Sequence, residues 1–340
     1  MDAPLGRLDG FPRAALGHLP TPLEALPNLS ADSGRRLFVK RDDCSGLALG
    51  GNKVRQLEFY LGEALAQRAD TVLITGAVQS NFVRLAAAAA CKLGLACRVQ
   101  LEERVPGKGE SYRCSGNVLL DRLLGAEIHH YPQGEDEAGA DGRLREIAAE
   151  LTAAGRRPYM IPLAPGHPPL GALGYVGAAR ELLAQGEAQG LAFDEVVVPS
   201  GSGHTHAGLL FGLRALGCRV PVTGICVRRP ATAQHPRIRD RCREIAELLD
   251  SPNPVAAADV RLDDRDLAPG YGRLNSAVHE AIALAARREG LLLDPVYTGR
   301  SFASLLRRAT ALAEGARLLF LHTGGTPALF AYQEELGAAD

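Results

Sequence analysis

Tryptophan is absent from the 340 residues, and aromatic residues of all kinds make up only 5% of the chain. With the abundance of Ala, Leu, Gly and Arg, this reflects genome composition and excludes no function. The other scarcities exclude more. Seven cysteines, an odd number without a Cys-x-x-Cys pair, argue against a disulfide framework or structural zinc. They point to a reducing cytoplasm and no metal. Leu85–Ala90 and Val196–Val198 are among the longest apolar runs, far short of the ~20 residues that span a bilayer. The formal net charge of -1 leaves no electrostatic footprint for nucleic acid or an anionic membrane. Met1–Arg7 lacks the charged-then-apolar pattern of a secretory signal.

What is present is an alternation of short β-rich runs and helical patterns, in a chain long enough for roughly two domains. Strands are predicted at Leu37–Val39, Val72–Thr75, Arg98–Leu101, Glu127–His130, Tyr159–Pro162, Glu195–Pro199, Val222–Val227 and Leu318–His322. Helices are predicted between them, for example Val54–Arg68, Asn81–Leu93 closed by Gly94, Gly142–Ala153, Thr205–Leu216 and Arg239–Leu249. Such alternation implies an α/β fold with parallel sheets covered on both faces. Arg104–Tyr112 reads as a mobile loop. The Pro-rich stretch Leu163–Leu170 reads as a crossing between two lobes.

Five motifs carry chemistry. Gly50-Gly51-Asn52-Lys53 places a lysine at a loop-to-helix junction, where it can form a Schiff base with a carbonyl cofactor. By itself this is a weak signal. Ser200-Gly201-Ser202-Gly203-His204-Thr205 joins a buried strand to a helix N-terminus, an arrangement suited to phosphate. The spacing G-x-G-x-x-x-x-G departs from the dinucleotide fingerprint. Arg228 and Arg229 could still take the 2′-phosphate of NADP, although a solvated loop suits them better. Gln79-Ser80-Asn81 offers N-cap residues that can also bind a carboxylate. Asp294-Pro295-Val296-Tyr297-Thr298 and His322-Thr323-Gly324-Gly325 put polar groups at strand ends, where open α/β sheets bind ligands.

Taken together, these motifs resemble the pyridoxal-phosphate enzymes of fold type II, the tryptophan-synthase-β type, from about Pro20 to Tyr332. Within that group the chain looks like the D-cysteine desulfhydrase and 1-aminocyclopropane-1-carboxylate deaminase family. The resemblance implies a two-domain open parallel-sheet fold with pyridoxal 5'-phosphate in the cleft between lobes. Residues 1–53 and 164–340 would form the large lobe and 54–163 the small one. Lys53 would hold the cofactor aldehyde and shuttle the α-proton. Asn81 would bond the cofactor's phenolic oxygen. Gly201, Ser202, Gly203, His204 and Thr205 would cradle its phosphate, and Thr323 would face its pyridine nitrogen. Ser80, with Gln79, Asn81, Phe82 and Thr298, would bind the substrate. Tyr297 and Tyr271 would flank it, joining Lys53 and Ser80 as catalytic residues.

The deaminases carry a Glu where Thr298 stands and an apolar residue where Thr323 stands. Thr323 does not enforce protonation of the pyridine nitrogen, which suits a readily departing β-substituent. The resemblance thus implies a cytoplasmic, homodimeric lyase for β-elimination on a small, D-configured amino acid, giving a 2-oxo acid and ammonia. Ring-opening deamination and L-cysteate sulfo-lyase-like activity are the alternatives. An NADP-linked oxidoreductase and a non-catalytic pyridoxal-phosphate binder are further ones. Phe82 stands where the desulfhydrases usually have His, and His204 where they have Gly. Together with the 163–166 loop, these two residues bear on the substrate.

Overall fold

The computed structural model describes residues 3–162 and 167–337. Its β-branched and apolar runs form ten strands: β1 (Leu23–Ala25), β2 (Arg36–Arg41), β3 (Thr71–Ala77), β4 (Ala96–Glu102), β5 (Glu127–Tyr131), β6 (Pro158–Ile161), β7 (Glu195–Ser200), β8 (Val222–Cys226), β9 (Arg261–Asp263) and β10 (Arg317–His322). Six make one sheet in the order β1-β2-β10-β7-β8-β9, and four make a second in the order β5-β4-β3-β6. Every pairing is parallel except that of β1 with β2. All eight predicted strands are present. The two short strands β1 and β9, both on sheet edges, were not predicted. They pair through three residues each, too few to show a period.

Strand β3 is buried along its whole length, as is β7, which is why both read as continuous apolar runs without alternation. Helices cover both faces of each sheet. On one face of the larger sheet, helix Leu170–Ala188 lies against helix His204–Ala215, packed so closely that a Cβ on Gly208 would come within 2.3 Å of the Ala172 carbonyl oxygen. Helices Ser276–Glu289 and Thr298–Ala311 cover the other face, over Phe302 and Phe320. In the smaller sheet, Ala86, Ala87, Ala89 and Ala90 of helix Asn81–Lys92 pack on one face, while Leu144, Ile147 and Leu151 pack against Leu73 on the other. Among the described residues no helix is long and apolar enough to cross a membrane.

Two predicted helices begin earlier than expected. Helix Ala231–Leu249 starts eight residues before Arg239 and carries Pro236 as its sixth residue, past the first turn, so it forgoes one i→i−4 hydrogen bond there. Helix Glu137–Ala153 starts before Gly142, because Asp136 caps it by accepting from the Gly139 N–H at 2.8 Å. Helix Glu110–Cys114 begins within the segment expected as a loop. Of the expected crossing, Leu163–Gly166 lies outside the described residues.

The helix that carries Lys53 is fixed by charge as well as by apolar packing. Arg55, two residues on, donates through Nε and Nη2 to both oxygens of Asp42, each at 3.0 Å, and through Nη1 and Nη2 to Glu181 at 2.9 and 2.8 Å. Lys40 also bonds Glu181, and Tyr175 bonds Asp42. Burial alone would raise the Asp42 carboxyl, but the Arg55 charge outweighs it and holds the group below its usual range. Arg55→Ala would leave Asp42 buried and unpaired, at an expected cost of about 3–5 kcal/mol. Equilibrium denaturation compares the variant with the parent.

Candidate active site

The loops that follow β3, β4, β5, β7, β8 and β10 all leave the C-terminal edges of their strands and converge on one cleft. It encloses about 940 Å³, counting its open mouth. Lys53 reaches it from the loop after β2. That loop approaches the turn after β10 so closely that a Cβ on Gly324 would meet Gly51 Cα at 2.7 Å, and the Asn52 N–H donates to the Thr323 carbonyl at 3.0 Å. The Lys53 amine has one weak hydrogen bond, to Gln56 Oε1 at 3.3 Å, and stands 4.8 Å from the centre of the Phe82 ring. Desolvation pulls its ammonium down to about 8. Near neutral pH a fraction of it is therefore the neutral, nucleophilic amine, far more than of a solvated lysine.

Around the turn after β7, Gly201, Ser202, Gly203 and Thr205 line the cleft. Gly203 sits at φ +97°, a conformation that side chains disfavour, immediately before the helix N-terminus. The Thr205 hydroxyl accepts from the Asn52 and Gln56 amides, both at 2.9 Å. Both amides donate, so the Thr205 proton is left to point at a ligand. Arg237 stands beside this turn, donating to the Ser202 carbonyl at 3.1 Å. Bare glycine backbone, a helix N-terminus, a hydroxyl proton and a guanidinium fit a phosphate.

Across the cleft, Ser80 caps helix Asn81–Lys92, accepting from the Val83 N–H at 3.2 Å. The Asn81 amide is oriented by Asn117, which donates to its Oδ1 at 2.9 Å and leaves Nδ2 free to donate. Tyr271 and Tyr297 share a hydrogen bond of 2.9 Å between their hydroxyls at the cleft wall. Burial, reinforced by Tyr271, pushes the Tyr297 phenol well above its ordinary range, so it keeps its proton.

Three of the predicted residues stand behind the wall. The Gln79 amide is consumed by the Tyr112 and Ser115 carbonyls at 2.7 and 2.9 Å and by the Asn117 N–H at 2.9 Å. Thr298 donates to Asp294 Oδ1 at 2.7 Å and is fully buried. His204 is buried with Nδ1 unpartnered, and desolvation keeps it neutral. Arg228 and Arg229 are not in a solvated loop. They line the cleft and pair with Glu137, Arg228 at 2.6 Å. Arg104 and Glu137, which sequence reasoning overlooked, also line it. Their one signal was their place just after strands β4 and β5.

The pyridoxal-phosphate dependent enzyme family matches residues 14–324. A D-cysteine desulfhydrase of Salmonella choleraesuis is 45% identical over 97% of this chain and 98% of its own. A crystal structure of an "ACC deaminase homologue" is 39% identical, with a TM-score of 0.87, covering 98% of each chain. An O-ureido-L-serine synthase structure, 17% identical with a TM-score of 0.68 over 94% of this chain and 93% of its own, shares the fold.

The depressed ammonium of Lys53 sets a pH signature. Only the neutral amine attacks an aldehyde, so uptake of pyridoxal phosphate by the cofactor-free protein should accelerate with pH and level off above about 8. A solvated lysine would continue to gain toward pH ~10.4. Stopped-flow absorbance across that range distinguishes the two.

Proposed function

The chain belongs to the pyridoxal-phosphate-dependent enzymes, of fold type II, and we propose that it catalyses β-elimination on a small β-substituted amino acid, as a D-cysteine desulfhydrase does. The products would be a 2-oxo acid, ammonia and the leaving group. The observation that carries this reading is the desolvated Lys53 amine in one cleft with the Ser80 turn and the Tyr271–Tyr297 pair. Similarity to the desulfhydrases supports D-cysteine as the first substrate to try.

Bound pyridoxal phosphate would supply the electron sink that makes the substrate's Cα–H bond acidic. Lys53 would hold its aldehyde carbon. The turn Gly201–Gly203, with Thr205 and Arg237, would hold its phosphate. Asn81 Nδ2 would donate to its phenolic oxygen, and the Thr323 hydroxyl would meet its ring nitrogen. His204, behind the wall, would support the turn rather than touch the phosphate. Lys53 Nζ would take the proton from Cα, a role that its lowered pKa suits. The N–H groups and hydroxyl of the Ser80 turn would bind the substrate carboxylate. Phe82 would exclude water over the amine. Tyr297, protonated and bonded to Tyr271, would give its proton to a departing thiolate. Ring-opening deamination is disfavoured because the Thr298 hydroxyl is spent on Asp294.

The proposed lobes are 1–53 with 164–340, and 54–163, a division supported by strand membership: β3–β6 fall within the second segment and the other six within the first. A homodimer would cover exposed Leu119, Leu123 and Phe330, which lie on adjoining helices. Seven free cysteines support a cytoplasmic setting.

Pyruvate and ammonia should form from D-cysteine and β-chloroalanine, and not from 1-aminocyclopropane-1-carboxylate. No product from any of a panel of D- and L-amino acids would refute the reading. Lys53→Ala should abolish both turnover and the visible band of the purified protein. Tyr297→Phe should lower kcat on cysteine by about 10²–10⁴-fold. On β-chloroalanine, whose chloride leaves without a proton, the loss should be much smaller. Steady-state kinetics on the two substrates reads the difference.

A further inference from the structure

Among the described residues the Lys53 amine has a single hydrogen-bond partner, and it comes from the lysine's own helix. Gln56 stands one turn on, at a spacing that brings helical side chains together. Its Oε1 accepts from Lys53 Nζ at 3.3 Å. Gln56 is fully buried. Helix Leu170–Ala188 closes over its stem, so tightly that a Cβ on Gly171 would come within 3.1 Å of Gln56 Cβ. The far end of the amide is held as well, Nε2 donating to the Thr205 hydroxyl at 2.9 Å.

These contacts fix which way the amide faces. Turned over, it would set its NH2 group against the lysine's ammonium, donor against donor. In the observed orientation Lys53 is the one donor that Oε1 serves among the described residues. That donor is lost when Lys53 joins the cofactor's aldehyde. The C=O bond becomes C=N, and the oxygen leaves as water with two hydrogens of the amine. Oε1 then stays buried without its partner, which is costly. An amino acid that displaces the lysine reverses the change. Its nitrogen takes over the double bond to carbon, its two hydrogens pass to Nζ, and the contact with Oε1 can form again.

We propose that Gln56 is a positioning residue that receives Lys53 Nζ each time an amino acid displaces it, favouring release of the lysine and holding the freed amine in place to take the Cα proton. This rests on the reading of Lys53 as tether and base, and it holds whichever β-substituent leaves.

The hold has a signature in pH. An oxygen acceptor beside Nζ favours the ammonium, because a charged donor makes the stronger bond. Burial opposes this and prevails. The surrounding ionisable groups keep their charge state near the lysine's midpoint. His204 stays neutral, Tyr297 keeps its proton, and Tyr60 on the same helix is pushed up to about 12. Arg237 is lowered only to about 10, Asp294 accepts from three N–H groups, and Glu137 is held by Arg228 and Arg229.

Two measurements read the hold. The first titrates the visible band of the holoenzyme with D- and L-alanine, whose methyl group cannot leave. Gln56→Met should raise the dissociation constant of the alanine that binds about three- to ten-fold, the worth of one hydrogen bond. Cofactor content should stay at the parent level, since Asn52 still donates to Thr205. The second follows the pH midpoint for uptake of pyridoxal phosphate by the cofactor-free protein. Gln56→Met should move that midpoint down, and Gln56→Glu, which sets a carboxylate beside the amine, should move it up. A glutamine that only packs the helix would leave both midpoint and alanine binding where the parent has them, and that result overturns the proposal. Should Gln56→Met fail to fold, the near-isosteric Gln56→Glu decides alone, an unmoved midpoint being the overturning result. If no amino acid perturbs the band of the parent protein, the proposed function fails on its own account. The uptake midpoints then still decide whether Gln56 holds the amine.

Discussion

A lysine that must be both desolvated and fixed in space needs an anchor that does not rely on its own charge, and Arg55 provides it. Two residues along the same helix, Arg55 binds both oxygens of Asp42 and both of Glu181. Asp42 directly follows β2, and its carbonyl accepts from the Gly51 N–H at 3.1 Å, so the same residue also braces the loop that leads to Lys53. Glu181 lies on the helix packed over the larger sheet. The clamp therefore ties strand, loop and helix together. Buried ion pairs gain little net stability, but they impose a register, since the bidentate pairs form in one arrangement only.

With that register set, the cleft's chemistry follows from which strand ends face each other. The larger sheet brings the Gly201–Gly203 turn and the Arg228–Arg229 pair. The smaller sheet brings the Ser80 turn, Arg104 and Glu137. Lys53 stands between them. Neutral donors come from Ser80, Asn81 and Thr205, and guanidinium groups from Arg104, Arg228, Arg229 and Arg237, all lining the one cleft. Because these groups sit on strand ends, they are already oriented before any ligand arrives.

Most of the fold was legible in the sequence, because buried parallel strands are short uninterrupted apolar runs and their crossover helices carry caps. The strands at 71–77 and 195–200 were evident for that reason. The edge strands β1 and β9 were not, being too short to carry a pattern. Pro236 hid the first two turns of its helix, since a proline inside a helical pattern ordinarily reads as a break. In the site, Lys53, Ser80, Asn81, the glycine turn, Tyr271, Tyr297 and Thr323 were all named, and the cleft unites them. Gln79 and Thr298 belong to motifs that reach the site, but they point away from it, because hydrogen bonding within those turns consumes their polar atoms. The arginines were misread for a different reason. A charge after a strand is ordinarily solvated, and only the fold shows that Arg228 and Glu137, far apart in the chain, meet across a cleft.

The order of strands in the larger sheet also governs how the chain can assemble. Strand β10, near the C-terminus, lies between β2, near the N-terminus, and β7, pairing with both. Strands β1 and β2 thus have only each other until almost the whole of the larger sheet has followed. The smaller sheet, drawn from one continuous segment, has all its strands available by then and can form first. Throughout synthesis the apolar β2 edge, Leu37 to Val39, stays open as a template for pairing with other chains. The lobe that is to carry the phosphate turn is thus the one most exposed to misassembly, and strand β10 determines whether Lys53 ever acquires its surroundings.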